Sequence, residues 1–325
     1  MPRCGWLTGD LTMANPVIAI VAPIFGVVIC GYIAGRVRLL DKAAIHGISS
    51  YVFNLAIPLL LFYAMARIDL PQDLPWGYLL GYYGCALGFF ALAFTLSGLV
   101  FGYHPREAGI FAFGSSYGSF IPLGIPLVLT IFGERATLPL FTLVATQALV
   151  MFPVMTLVQV SGAAHRDQGS RLWSFARGVI ANQYLAGIAL GTLVNLMDVP
   201  LPEVLVGVLE LFAQSATPCA LFALGAALSQ YRVAGSLGAS VAICVMKTMV
   251  FPAGVWLVLR FVLELDPLWL SVAVVLAALP VGINTYLFAE RYTTGVPLAA
   301  ASTVVSTAVS MITISLVLLL LGLSG

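Results

Sequence analysis

Long apolar runs with almost no charged residues fill the chain from Pro16 onward. Only 8% of the 325 residues are charged and 61% are hydrophobic, whereas a soluble domain carries about 25% charge. Such a surface suits lipid, where every backbone polar group must be paired inside a helix or a closed barrel. The runs are continuous and do not alternate in polarity, which favours helices over a barrel. The chain is therefore predicted to be an all-α membrane protein.

The runs divide into ten predicted spans, because a helix needs about 20 residues to cross a bilayer. By residue number the spans are 16–35, 43–66, 77–101, 108–132, 137–162, 175–196, 203–229, 235–263, 268–289 and 296–323. A polar linker at 163–174 separates two halves of five spans, residues 16–162 and 175–325. Residues 1–15 form an N-terminal tail without the pattern of a signal peptide. Met13 is an alternative start.

The basic residues predict the orientation. Nine Lys and Arg residues lie on the side that holds the 163–174 linker, four lie on the other side, and Lys247 lies inside span 8. Cytoplasmic loops are enriched in Lys and Arg. The linker is therefore predicted to be cytoplasmic, and both termini are predicted to be extracytoplasmic.

The two halves show a weak internal repeat at an offset of 158 to 160 residues. Because each half has an odd number of spans, a second half of similar sequence must be inverted in the membrane. The matched features are Asn54, Pro58 and Phe62 with Gln214, Pro218 and Phe222; Pro122 with Pro280; Pro139 with Pro297; and Gly31 with Gly191. An inverted repeat is thus predicted.

Two segments rich in proline and glycine lie near the middle of spans 4 and 9. They carry Pro122, Gly124 and Pro126 in the first half and Pro280 and Gly282 in the second. Proline removes a backbone donor and glycine loosens a helix, so both spans are predicted to be broken there. A half-helix N-terminus offers free N–H groups and partial positive charge, which suit a carboxylate. Kinks without any function are the alternative interpretation.

Polar side chains cluster at the same two places and form the predicted substrate site with the broken segments. Ser115, Ser116 and Ser119 precede the first break, and Asn284 and Thr285 follow Gly282 of the second. An amide beside a helix break has two donors and an acceptor to satisfy. The hydroxyl groups have an alternative, because Ser and Thr also bond back to their own helix.

Two ionisable residues fall inside predicted spans, where such groups are costly and usually functional. Lys247 is predicted to attract an anion or to replace a coupling cation, with a structural bond to freed carbonyls as the alternative. Glu210 is a candidate proton-coupling carboxylate, unless it snorkels to the interface. No nucleotide-binding loop, phosphate-neutralising basic patch or metal-ligand spacing occurs in the sequence. An enzyme, a cofactor and a nucleic-acid partner are therefore not expected.

Four segments together resemble one known family. They are residues 53–62, residues 124–127, Lys247 with Pro252, and residues 278–289. The chain resembles the auxin efflux carrier family in its shorter bacterial form, whose members include malonate- and malate-type transporters and which is related to the bile acid–sodium symporters. The resemblance covers the chain from about Pro16. One departure is Ser119, where relatives often carry Asn, so a particular cargo does not transfer safely.

The resemblance implies ten transmembrane helices in two inverted five-helix repeats, with helices 4 and 9 broken and crossing beside the substrate. Spans 1, 2, 6 and 7 would form a scaffold, and spans 3–5 and 8–10 a moving core. The expected function is secondary active transport of small organic anions by alternating access in a bacterial inner membrane, with H⁺ or Na⁺ as candidate coupling ion. A membrane sensor and a channel are the alternatives. Membrane lipid is an expected partner, and a homodimer stays open.

Overall fold

The computed structural model describes residues 16–68, 76–161, 183–230 and 237–322. These residues form 12 helices and no strand. The helices are α1 Pro16–Arg36, α2 Lys42–Met65, α3 Trp76–Phe101, α4 Pro105–Ser116, α5 Phe120–Phe132, α6 Thr137–Ser161, α7 Gln183–Leu196, α8 Glu203–Leu228, α9 Leu237–Val262, α10 Pro267–Ala278, α11 Asn284–Arg291 and α12 Val296–Leu320. The all-helical prediction is confirmed.

Six of the described helices are long and apolar enough to cross a membrane, namely α2, α3, α6, α8, α9 and α12. Four shorter helices, α1, α5, α7 and α10, are also apolar in the described part. The predicted tail at 1–15 and linker at 163–174 lie outside the described residues. So do five of the arginines used to predict orientation, which are Arg3, Arg166, Arg171, Arg177 and Arg232.

The helices pack in two groups. In one group α1 lies along α8, and α2 lies along α7 and α8. In the other, α3 contacts α4, α4 contacts α6, and α12 contacts α9, α10 and α11. Glycines bring the first group into backbone contact, since a Cβ at Gly31 would meet the carbonyl of Phe222 and one at Gly191 would meet the carbonyl of Phe62.

Three helices contain a wide π turn just before a proline. Pro has no N–H and its ring crowds the carbonyl four residues earlier, so the helix locally shifts to bonds between residues five apart. In α2, for example, the N–H of Ile57, just before Pro58, donates to the carbonyl of Val52. The three π turns are Val52–Ala56, Phe120–Gly124 and Met246–Val250, followed by Pro58, Pro126 and Pro252.

Both predicted interruptions occur, but one lies earlier than expected. The second falls at residues 279–283, between α10 and α11, as predicted. The first falls at residues 117–119, between α4 and α5, and the prediction at residues 122–126 is wrong in position. Pro122 lies in the first turn of α5, where its missing N–H has no intrahelical acceptor to lose. Pro126 follows the π turn, which accommodates it.

Candidate functional site

The two interrupted segments lie side by side and pair antiparallel, Gly118 opposite Val281. The N–H of Ser119 donates to the carbonyl of Pro280 at 3.1 Å, and the N–H of Gly282 donates to the carbonyl of Tyr117 at 3.1 Å. Each break therefore provides a hydrogen-bond partner for backbone groups of the other break. We call this pairing the crossing.

Two neighbouring helices satisfy further backbone groups at the crossing. The amide Nε2 of Gln147, on α6, donates to the carbonyl of Gly118 at 3.2 Å. The N–H of Val281 donates to Oγ of Ser306, on α12, at 3.0 Å. Both side chains are buried. The two helices thus supply the partners that irregular backbone needs inside a membrane.

The N-terminus of α11 is the more open part of the crossing. Thr285 donates its N–H to the carbonyl of Gly282 at 2.9 Å, whereas the N–H groups of Ile283 and Asn284 have no acceptor within the described residues. Both residues are half-buried. The side chain of Asn284 donates through Nδ2 to the hydroxyl of Tyr117 at 2.9 Å, which ties α11 to the other break. Free donors at a helix N-terminus can bind an anion.

Two buried hydroxyl groups next to the breaks have no hydrogen-bond partner in the part of the chain that the structure describes, Oγ of Ser119 and Oγ1 of Thr285. Burying a hydroxyl without a partner costs free energy, so both are free to serve a ligand. Ser115 and Ser116 differ, because they donate to the carbonyls of their own helix four residues earlier at 2.9 and 2.8 Å. Their role as ligands stays a prediction.

Lys247 lies fully buried between the two breaks. Its ammonium donates to the carbonyl of Ala277, in the last turn of α10, and lies 4.9 Å from the ring centroid of Phe251. A Cβ at Gly118 would lie 3.3 Å from the same nitrogen, so Lys247 also touches the first break. Glu210 is exposed on α8 and makes none of these contacts.

A family model described as "Membrane transport protein" matches residues 16–318. The chain belongs to this family. The predicted membership of the auxin efflux carrier family is thereby confirmed, and the chain is a membrane transporter and not an enzyme.

This transporter is similar to two known proteins, and the aligned region covers a different share of each. A Rhizobium meliloti (strain 1021) protein named "Putative malonate transporter" is 25% identical over 303 residues, which are 92% of this chain and 94% of that protein. A mouse (Mus musculus) protein named "Lysosomal cholesterol signaling protein" is 26% identical over 215 residues, which are 62% of this chain but only 24% of that protein. The similarity to the first therefore extends over nearly the whole of both chains.

Several predicted residues of the transporter's site act in packing here. Pro122, Gly124 and Pro126 are buried in α5, and a Cβ at Gly124 would lie 2.8 Å from the side chain of Leu279. A Cβ at Gly282 would lie 2.5 Å from the ring of Tyr117. These small residues let the breaks approach one another. A direct ligand role for them stays a prediction.

Tyr117 lies within the crossing and Gln147 contacts it, but neither is among the predicted ligands. Tyr117 is buried, stacks on Phe113 with ring centroids 4.5 Å apart, and accepts from Asn284. Its position between Ser116 and Gly118 in a polar run was the available signal. For Gln147 the signal was an amide inside an apolar span. From sequence alone, such an amide indicates a contact between helices as readily as a ligand.

Proposed function

We propose that the chain is a secondary active transporter that carries small organic anions, carboxylates such as malonate or malate, by alternating access. The family supports transport, and the name of the Rhizobium relative supports a small dicarboxylate. The geometry that carries the proposal is the N-terminus of α11, where two neighbouring half-buried residues have N–H groups without an acceptor in the described part of the chain.

In this proposal the substrate carboxylate accepts from the N–H groups of Ile283 and Asn284. The hydroxyl groups of Ser119 and Thr285 are further candidate donors, because both are buried without a partner among the described residues. Asn284 keeps its side chain on Tyr117 and so holds the N-terminus of α11 against the other break. Backbone donors at a helix N-terminus favour negative charge without needing a specific side chain, which agrees with Ser119 replacing the usual Asn.

Lys247 supplies positive charge to the crossing in this proposal. Its ammonium caps the carbonyl end of α10, where a bound coupling cation would also be attracted. H⁺ and Na⁺ remain the candidate coupling ions, and imposed gradients of each across proteoliposomes distinguish them. We place Glu210 outside the substrate site, because its side chain is exposed on α8.

We further propose ten spans in two inverted five-helix repeats, in which α4 with α5 and α10 with α11 each form one broken span. Repeated contacts support it. Gly31 meets Phe222 and Gly191 meets Phe62, and the members of each pair shift by the same 160 residues.

The two packing groups suggest how such a carrier would move. The group of α1, α2, α7 and α8 would form the scaffold, and α3–α6 with α9–α12 would form the core that carries the crossing. The core would slide along the scaffold to expose the substrate to either side. We expect this carrier in a bacterial inner membrane with both termini extracytoplasmic.

The test is the Asn284→Ala variant in proteoliposomes. We expect malonate uptake to be lost, because the variant releases the N-terminus of α11 from Tyr117 and removes an amide at the binding position. The matched control is Asn195→Ala, whose Nδ2 donates to the carbonyl of Ile68, three residues after the end of α2 and away from the crossing. The control should retain uptake, and both variants should elute as single folded species.

Wild-type uptake in the Asn284→Ala variant would contradict this site. Counterflow distinguishes a carrier from a channel. In proteoliposomes loaded with unlabelled malonate, a carrier takes up labelled malonate faster than in empty proteoliposomes, whereas a channel does not. A sensor would bind malonate in a thermal-shift assay without moving it. A thermal-shift screen of mono- and dicarboxylates against wild type identifies the cargo.

A further inference from the structure

A cavity of about 520 Å³ lies between the two packing groups of helices. Residues of α2 and α8 form one wall, and residues of α5, α6 and α10 form the other. Leu129 of α5 lines it nine residues beyond Phe120, which corresponds to about 14 Å along a helix. We call it the seam cavity, lined among others by Tyr63, Arg67, Glu134, Arg135, Ala213 and Trp269.

The seam cavity carries more positive than negative charge. Arg67 and Arg135 are both in its lining, and Glu134 is the single acidic residue among the described residues that form it. Arg67 donates to the hydroxyl of Tyr63 and lies 5.2 Å from that ring centroid. Arg135 donates through Nε to the carbonyl of Phe132 at 3.0 Å. These contacts orient both guanidinium groups, and the partners are uncharged.

The two arginines also stand out by their place in the chain. The face predicted to be extracytoplasmic is poor in basic residues, and its described ones are Arg67, Arg135 and Arg260. Two of these three, Arg67 and Arg135, line the same cavity. Each guanidinium has five N–H donors in a fixed fork, so most donors stay available after the contacts above. A concave site with low-dielectric walls concentrates ions of opposite charge.

We propose that the seam cavity is an anion-recruitment site, in which a carboxylate binds between Arg67 and Arg135 before it reaches the crossing. The identity of the anion rests on the proposed function, whereas the recruitment of anions does not. Guanidinium groups bind carboxylates with paired, charge-assisted hydrogen bonds. Because its walls come from both packing groups, an anion bound here contacts the scaffold and the core at once.

Trp269 provides a reporter that does not depend on transport. Its indole lines the cavity and packs edge-on against Tyr78, with ring centroids 4.8 Å apart. Fluorescence quenching is measured in detergent with iodide, caesium and acrylamide, which are an anion, a cation and a neutral probe. The contribution of Trp269 is the difference between each protein and the same protein carrying Trp269→Phe. We expect iodide to quench this contribution more strongly than caesium.

The Arg67→Gln and Arg135→Gln variants should each lower iodide quenching of Trp269 by about twofold, with acrylamide quenching unchanged, because removing one charge lowers the local anion concentration. Arg260→Gln makes the same charge change outside the cavity and should match wild type. If one of the two variants fails to fold, the other alone decides. Unchanged iodide quenching in a folded variant, or stronger quenching by caesium, would overturn the proposal.

Malonate separates this inference from the proposed function. Added malonate should protect Trp269 from iodide in wild type and equally in Asn284→Ala, whose change lies at the crossing. Protection by malonate supports both the recruitment site and malonate as the cargo. Charge-dependent iodide quenching without any protection by malonate supports the recruitment site and counts against malonate as the cargo.

Discussion

The break between α4 and α5 and the break between α10 and α11 satisfy their backbone groups in different ways. At the first break every residue from Tyr117 to Phe120 is buried. The carbonyl of Gly118 accepts twice, from the N–H of Phe120 at 3.0 Å and from Gln147 at 3.2 Å. This break is closed, although the N–H of Gly118 has no acceptor within the described residues.

The second break is open at one end. Ser306 accepts from Val281, and Lys247 donates to Ala277, but Ile283 and Asn284 are half-buried and their N–H groups have no acceptor among the residues described. We infer from this difference a division of labour between the two breaks. In this inference the first break is the closed partner, and the second presents N–H donors to the proposed ligand.

The largest effect should come from the contact between the breaks, tested with Gly282→Ala. A Cβ there would lie 2.5 Å from Cδ1 of Tyr117 and 3.0 Å from the carbonyl oxygen of Gly118. The backbone oxygen cannot yield easily, so we expect a loss of about 2–3 kcal/mol in the free energy of unfolding, as for an overpacked core. Thermal unfolding in detergent measures it.

Gly254→Ala, on α9, is the matched control, because no atom of the described residues lies within 4 Å of its Cβ position. It should be neutral or stabilising by up to about 1 kcal/mol through helix propensity. Equal melting temperatures for Gly282→Ala and wild type would mean that the two breaks are not held in contact.

The sequence predicts the second break well and misplaces the first for a physical reason. Pro280 and Gly282 lie inside the interruption, so local chemistry was sufficient there. At the first break, Pro122 and Pro126 fit the start of a helix, and the chain opens instead where Tyr117 and Ser119 pair with the other break. Such pairing joins residues more than 150 positions apart, and local propensity holds no information about it.

The same limit applies to the side chains of the candidate site. An unusual residue inside an apolar span was enough to select Lys247 and Asn284. Whether Ser115 faces the crossing or its own helix depends on the rotation of α4, which neighbours decide. The seam cavity could not be predicted, because Arg67 and Arg135 meet only after α2, α5 and α6 have packed.

Lys247 is a buried charge that distinguishes the second break from the first. The Lys247→Met variant tests whether this charge contributes to carboxylate binding. The positions 158 to 160 residues earlier are Leu87, Gly88 and Phe89, so the first half of the chain has no charge at the matching positions. Removing a buried ammonium beside the crossing should weaken carboxylate binding by at least about tenfold, equal to 1.4 kcal/mol. Lys42→Met, at the exposed start of α2, removes the other lysine of the chain and should leave binding unchanged. Equal affinity in both variants, measured by calorimetry, would restrict Lys247 to a structural role.

The smallest effects are expected for Gln147→Leu and Ser306→Ala. Each variant removes a side chain on a neighbouring helix that hydrogen-bonds the backbone of one break. Gln147→Leu leaves the carbonyl of Gly118 its bond from Phe120, so we expect a loss well below about 1 kcal/mol. Ser306→Ala leaves the buried N–H of Val281 without the acceptor it now has, and an orphaned N–H is tolerated less well than a carbonyl. That variant should lose about 1–2 kcal/mol.

Ser315→Ala, whose hydroxyl bonds only along α12 to the carbonyl of Met311, is the control for a serine change on the same helix. If Gln147→Leu were the more destabilising variant in thermal unfolding, the first break would be the less well satisfied one and the division of labour would be reversed.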